Sequence, residues 1–63
     1  MGSVKNIQNM PKAFDQFIVY MNIDGDLWFH SSWPTQQQAI DVAINVGRER
    51  DVETGVEDTK NWY

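Results

Sequence analysis

The chain has 63 residues, no cysteine and a formal net charge of −4, which limits it to one small domain without disulfide bonds or thiolate metal sites. It has no apolar run long enough to cross a bilayer and no signal-peptide pattern at its N-terminus, so we expect a soluble, cytoplasmic protein. Residues 13–47 contain no lysine or arginine, which argues against a surface for duplex nucleic acid because such a surface needs several cations.

Residues 1–14 show no hydrophobic period and are predicted to form a flexible N-terminal lead-in, as chain ends often do. Three apolar side chains of this segment, Ile7, Met10 and Phe14, could fold back over the core. A single domain is therefore predicted over residues 15–63.

Residues 17–33 are predicted to form a β-hairpin, because apolar and polar residues alternate on both sides of a turn-forming segment, 22–25. A four-residue turn with a bulge at Gly25 pairs Met21 with Leu27, whereas a two-residue turn at Asp24-Gly25 shifts the register by one. A one-residue shift sends every side chain to the opposite face, so the longer turn is favoured because it gives one apolar face. That face holds Phe17, Val19, Met21, Leu27 and Phe29.

A helix is predicted from Gln36 to a residue between Gly47 and Arg50. Thr35 followed by Gln38 forms a capping pair at its start. Small and apolar residues then recur at helical spacing and predict a buried stripe. The stripe consists of Ala39, Ile40, Ala43, Ile44 and Gly47.

Alternation over residues 52–56 predicts a short third strand, followed by a tail that carries Trp62 and Tyr63. A right-handed crossover through the helix places the third strand beside the first and antiparallel to it. The predicted fold is α+β: a three-stranded antiparallel sheet with connectivity β-β-α-β, strand order 2-1-3 and one helix packed on one face.

Several turn, aromatic and helix residues within 17–47 form a pattern. They are Val19, Asp24-Gly25, Trp28, Thr35, Ala39-Ile40 and Ala43. The pattern resembles a small bacterial ββαβ family of unknown function, DUF2188, although that family tends to be basic and closes with a glycine turn where this chain has Glu57-Asp58. The topology is also similar to that of small phage-encoded inhibitors of bacterial RNA polymerase, without a shared motif. The resemblance implies the fold and leaves the function open.

The face of the hairpin that points away from the helix supplies the candidate site. In the favoured register it carries Ile18, Tyr20, Trp28 and His30, here called the hairpin patch, flanked by Asp24 and Asp26. An exposed aromatic patch on a small domain is typical of a partner-binding surface. The alternative is a cross-strand aromatic pair that only stabilises the hairpin.

No catalytic, metal or cofactor site is predicted. His30 is followed by Ser31 and Ser32, but Ser31 is expected on the other face and Ser32 too far along the strand for a nucleophile–base pair. A calcium loop around residues 22–26 lacks the required acidic residues at its first and twelfth positions, where Tyr20 and Ser31 stand. We therefore predict that the protein is not an enzyme.

These observations predict a small acidic protein-binding module, an inhibitor or regulator encoded by a phage or mobile element. It is expected to dock on a larger host protein through the aromatic face or an edge strand, with acidic groups that could imitate phosphates. One alternative is a single-stranded nucleic-acid-binding protein whose aromatic face stacks bases, although Asp24 and Asp26 would repel phosphates. The other is an obligate homodimer, since the core is near the lower size limit for a chain that folds alone.

Overall fold

The computed structural model describes residues 6–62, so the expectations for residues 1–5 and for Tyr63 lie outside the described residues. Its elements are β1 (Ile7–Gln8), β2 (Phe17–Ile23), β3 (Asp26–Trp33), α1 (Gln36–Arg50), β4 (Glu53–Asp58) and one turn of 3-10 helix (Thr59–Asn61). The strands form one mixed sheet in the order β1-β3-β2-β4. The α+β class and the order of the three longer strands confirm the prediction. The predicted three-stranded, wholly antiparallel sheet is wrong, because β1 adds a fourth strand parallel to β3.

The hairpin turn is a two-residue turn at Asp24-Gly25. Asp24 (φ 53°) and Gly25 (φ 88°) both adopt left-handed backbone conformations, and Ile23 pairs directly with Asp26. Positive φ at both central residues defines a type I′ turn, for which Asp-Gly is a preferred sequence because its twist matches that of the flanking strands. The Asn22 side chain accepts a hydrogen bond from the Gly25 N–H (3.2 Å). The predicted four-residue turn is therefore wrong.

A β-bulge in β3 changes the register farther from the turn. Tyr20 lies opposite Phe29, but Val19 lies opposite Ser31, which leaves His30 as the extra residue. Two residues of β3 thus oppose one residue of β2. The bulge reverses the alternation of side chains between the two parts of β3.

The two sides of the sheet therefore carry different residues from those predicted. Trp28 lies opposite Met21 and shares its side of the sheet, the helix face, which α1 covers. Leu27 and Phe29 pack with Tyr20 on the opposite side, the second face. Their predicted place under the helix is wrong, whereas Val19 does pack against the helix as predicted.

The helix begins where the capping pair predicts. Thr35 accepts a hydrogen bond from the Gln38 N–H (3.3 Å) and donates one to Gln38 Oε1 (3.0 Å). The helix ends at Arg50, followed by Asp51 in the left-handed region (φ 54°), which aspartate tolerates better than most residues. Its small buried residues Ala39 and Ala43 pack on Val19. Among residues 6–62, no helix is long and apolar enough to span a membrane.

The second face is covered by both ends of the chain. Ile7 and Trp62 pack there on Ile18, which is fully buried. Gln16 holds the C-terminal segment in place, because its carbonyl accepts hydrogen bonds from the N–H (2.9 Å) and the hydroxyl (2.7 Å) of Thr59. The expectation that only one face of the sheet is covered is wrong. The flexibility predicted for residues 1–14 stays a prediction.

Trp62 is the largest member of this cover. Its side chain is 6% exposed, and its ring lies against Phe14 with centroids 6.1 Å apart. Its buried Nε1–H has no hydrogen-bond acceptor among the described residues. Leaving a donor unpaired costs about 1–3 kcal/mol, which offsets part of the stabilisation from burying the ring.

Replacing Trp62 separates these two effects. We expect Trp62→Ala to lower the free energy of unfolding by about 3–5 kcal/mol because it removes a buried aromatic ring. Trp62→Phe keeps a ring, removes the unpaired donor and should cost less than half as much. Urea unfolding followed by circular dichroism measures both values, and an unchanged midpoint for Trp62→Ala would show that the C-terminal cover does not stabilise the fold.

Candidate functional site

The structure does not bring the hairpin patch together as one surface. Ile18 is fully buried, and Tyr20 is half-buried in the same cluster on the second face. Trp28 is 37% exposed but lies on the helix face, and His30 is half-buried at the bulge. The expectation that Tyr20 and Trp28 are exposed neighbours is therefore wrong. Partner binding by these residues, and by the exposed Asp24 and Asp26 in and beside the turn, stays a prediction.

The bulge creates a polar cluster that the sequence analysis excluded. Ser31 Oγ lies 2.9 Å from His30 Nδ1 and accepts a hydrogen bond from Trp33 Nε1 (2.8 Å). His30 and Ser31 are neighbours because both oppose Val19 at the bulge. The prediction that Ser31 points away from His30 is wrong.

This cluster has the hydrogen-bonding pattern of a structural element. The Ser31 oxygen accepts the indole N–H of Trp33, so its own hydrogen can be donated to His30 Nδ1 in the tautomer that leaves this nitrogen without a proton. The indole hydrogen bond withdraws electron density from the serine oxygen and makes it a weaker nucleophile. The three side chains together fix the conformation of the bulge and of the end of β3.

The outer side of β4 is an open edge of the sheet as far as the described residues extend. β4 is the last strand in the sheet, and no other described strand pairs with its outer side. The Thr59 N–H donates to the Gln16 carbonyl, and the β2–β4 register continues this pairing. In an antiparallel pair, every second residue exchanges backbone hydrogen bonds with the partner strand. The residues between them direct their N–H and C=O groups away from that strand. Consequently Gly55 bonds to β2, whereas the backbone N–H and C=O groups of Thr54 and Val56 point to the open edge.

The side chains of β4 divide between the two faces of the sheet. The Thr54 hydroxyl donates to the Ala43 carbonyl of α1 (2.7 Å), so Thr54 and Val56 belong to the helix face. Glu53 and Glu57, at the alternate positions, belong to the second face. From Glu53 to Glu57 the edge is therefore apolar on the helix side and acidic on the other.

Gly55 lies between the two glutamates and under the Tyr20 ring. A Cβ on Gly55 would overlap the phenol carbon and oxygen atoms of Tyr20. The glycine thus allows the ring to cross from β2 onto β4. The Tyr20 hydroxyl group consequently lies at the open edge, between Glu53 and Glu57.

Two isoleucines of the helix lie beside this edge. A Cβ on Gly47 would lie 3.2 Å from Thr54 Oγ1, so the Gly47 side of α1 faces β4. Ile44 and Ile40 precede Gly47 by three and seven residues and lie on the same side of the helix. They are 53% and 36% exposed, so their predicted place in the buried stripe is wrong. We call the outer edge of β4 together with Ile40 and Ile44 the β4–α1 surface.

Sequence reasoning missed this surface although a signal was present. The buried side of α1 is already filled by Ala39, Ala43 and Val46. Ile40 and Ile44 follow the two alanines by one residue each, which rotates them about 100° around the helix axis. The apolar stripe of the helix is wider than the part that contacts the sheet, and this excess width is the signal that could have identified Ile40 and Ile44 as exposed.

Asp58 adds a third carboxylate at the end of β4. Its Oδ1 accepts hydrogen bonds from Gln16 Nε2 and the Lys60 N–H, both 3.0 Å long. The hydrogen bond from Gln16 is the main cause that lowers the pKa of Asp58, followed by the Lys60 N–H and the Lys60 charge. Asp58 is therefore ionised at neutral pH and connects the acidic edge to the C-terminal cover.

The lowered pKa of Asp58 predicts how acid affects stability. A carboxyl whose pKa is lower in the folded state stabilises the fold above its ordinary pKa of about 3.9. That stabilisation is lost as the pH falls through the lowered folded pKa. We expect Asp58→Asn, which keeps an acceptor oxygen but cannot titrate, to lose less stability than the wild type between about pH 7 and pH 2.5.

Urea midpoints at the two pH values measure this difference. Asp26→Asn, in an exposed position beside the hairpin turn, is the matched control and should follow the wild type. Equal acid sensitivity of Asp58→Asn and the wild type would contradict the role of Asp58.

Comparison of the chain with protein-family models, with curated proteins and with solved structures gave no match. The resemblance to DUF2188 and the topological likeness to phage-encoded RNA polymerase inhibitors stay predictions. The β4–α1 surface is the candidate site on the geometry of this chain alone.

Proposed function

We propose that the protein is a small, acidic, non-enzymatic protein-binding module that docks on a larger partner through the β4–α1 surface. The observation that carries the proposal is the open backbone edge at Thr54 and Val56 with two exposed isoleucines, Ile40 and Ile44, alongside it. An inhibitory or regulatory role, a phage or mobile-element origin and a cytoplasmic location belong to the same proposal. They are supported by the small size, the acidity and the topological likeness.

The apolar part of the surface gives a docking partner its driving force. Ile44 is the most exposed of the large apolar side chains among the described residues, at 53%. Covering apolar area contributes about 25 cal/mol per Å². An open strand edge beside such side chains is also a site for unwanted pairing unless charges protect it or a partner covers it. Here the acidic side chains protect the edge and leave it available to a selected partner.

The charge and the geometry both disfavour the nucleic-acid alternative. Glu53, Glu57 and Asp58 line β4 and would repel a phosphate backbone. Tyr20 and Trp28 lie on opposite faces of the sheet, so they cannot form one platform on which successive bases stack.

The test is affinity capture from a lysate of the organism that encodes the chain. We expect the wild type and Trp28→Ala to retain the same partner protein, and Ile40→Gln/Ile44→Gln to lose it. Both sets of side chains are exposed, glutamine is a good helix former, and circular dichroism confirms that each variant is folded. Loss of the partner in Trp28→Ala alone would place the binding site on the hairpin and contradict the proposed surface.

Titration of fluorescent single-stranded DNA and RNA at low salt serves as the control. The proposal requires that neither binds. Micromolar binding that weakens as salt is added would support the nucleic-acid alternative and contradict the protein-binding proposal.

A further inference from the structure

The β4–α1 surface specifies the chemistry of its partner segment. Resting on the proposed function, we infer that the partner contributes an extended basic segment that pairs with β4 as an antiparallel fifth strand. Its side chains alternate: apolar residues on the helix side and lysine or arginine on the second face. The inference follows from the backbone, the side chains and the charge of the edge.

The backbone of β4 is oriented to accept a strand. The outward N–H and C=O groups of Thr54 and Val56 can each exchange hydrogen bonds with a residue directly opposite. Strand addition of this kind derives its affinity from main-chain bonds and its specificity from alternate side chains. The six residues of β4 match the usual length of a strand.

The side chains set the pattern of the added strand. Residues opposite Thr54 and Val56 project on the helix side, toward Ile40 and Ile44, and are therefore apolar. The neighbouring residues project on the second face, toward Glu53 and Glu57, which lie four residues and about 13 Å apart along the strand. The Tyr20 ring over Gly55 offers the same basic side chains an aromatic surface between the two carboxylates.

The same charges disfavour a second copy of this chain as the occupant. Antiparallel self-pairing centred on Gly55, in which Thr54 of one copy lies opposite Val56 of the other, would place Glu53 opposite Glu57. Like charges directly opposite each other destabilise a pair of strands. The acidic edge thus disfavours pairing with a second copy of this chain and favours a basic strand.

The test uses a fluorescent peptide of about seven residues that alternates valine with lysine, the length of an ordinary strand. Fluorescence anisotropy with the full chain measures its binding. We expect the peptide to bind and a glutamate–valine peptide of the same length not to bind. A scrambled peptide with the same composition should bind more weakly, because it cannot present one basic and one apolar side.

Backbone N-methylation gives the sharpest control. The valine N–H groups should face β4 and the lysine N–H groups should face away, because the residues opposite Thr54 and Val56 are apolar. Methylation of the valine nitrogens is therefore expected to abolish binding, and methylation of the lysine nitrogens to leave it. Equal binding of the two methylated peptides would overturn strand addition.

Charge variants of the protein test the electrostatic part. We expect Glu53→Gln/Glu57→Gln to weaken binding about tenfold, the combined effect of two exposed charge pairs and their steering of the peptide. Asp41→Asn/Glu49→Gln changes the net charge equally at exposed helix positions and should leave binding unchanged. If both double variants weaken peptide binding equally, the peptide is not recognised by the carboxylates at the edge of β4.

The two proposals fail separately. If no peptide binds while capture of the partner still depends on Ile40 and Ile44, the extended basic strand is wrong and the proposed function stands. If capture persists in Ile40→Gln/Ile44→Gln, the proposed function itself is wrong.

Discussion

The two-residue turn at Asp24-Gly25 is the constraint on which the rest of the sheet depends. Because Ile23 pairs directly with Asp26, the register between β2 and β3 is fixed at the turn. That register places Leu27 and Phe29 on the second face. Without a bulge, the same alternation of side chains would also place Trp33 on the second face. The bulge at His30 corrects this with one extra residue, so Trp33 packs on the helix side with Phe17.

The turn also determines why both ends of the chain are needed. With Ile18, Tyr20, Leu27 and Phe29 on the second face, that face is apolar and requires a cover. Ile7 and Trp62 provide it, and the bonds from Thr59 to Gln16 hold the C-terminal part of the cover in place. When both faces of a sheet are covered, unpaired backbone groups remain only along the strands at its edges. Among the described residues, the outer side of β4 is one of these edges.

The sequence was sufficient for the elements whose signals are local. Thr35 and Gln38 located the start of the helix, and alternation with a right-handed crossover gave the order of the three longer strands. The hairpin register could not be obtained in the same way. The Asp24-Gly25 sequence favours the two-residue turn that the structure contains. The longer turn is predicted only if the sheet is covered on one side and therefore needs a single apolar face. A single-residue bulge has no distinctive sequence signal, and the short strand Ile7–Gln8 depends on pairing with β3 and on packing of Ile7 on the second face, which are contacts distant in sequence.

The central claim is that β4 presents its backbone at Thr54 and Val56 to solvent. Residue-by-residue amide hydrogen exchange measured by NMR on the unbound chain tests it directly. The structure requires an alternating pattern in which the Gly55 and Glu57 amides, bonded to β2, exchange slowly and the Thr54 and Val56 amides exchange rapidly. A Val56 amide as protected as that of Gly55 would mean that the edge is already covered, and would contradict the account.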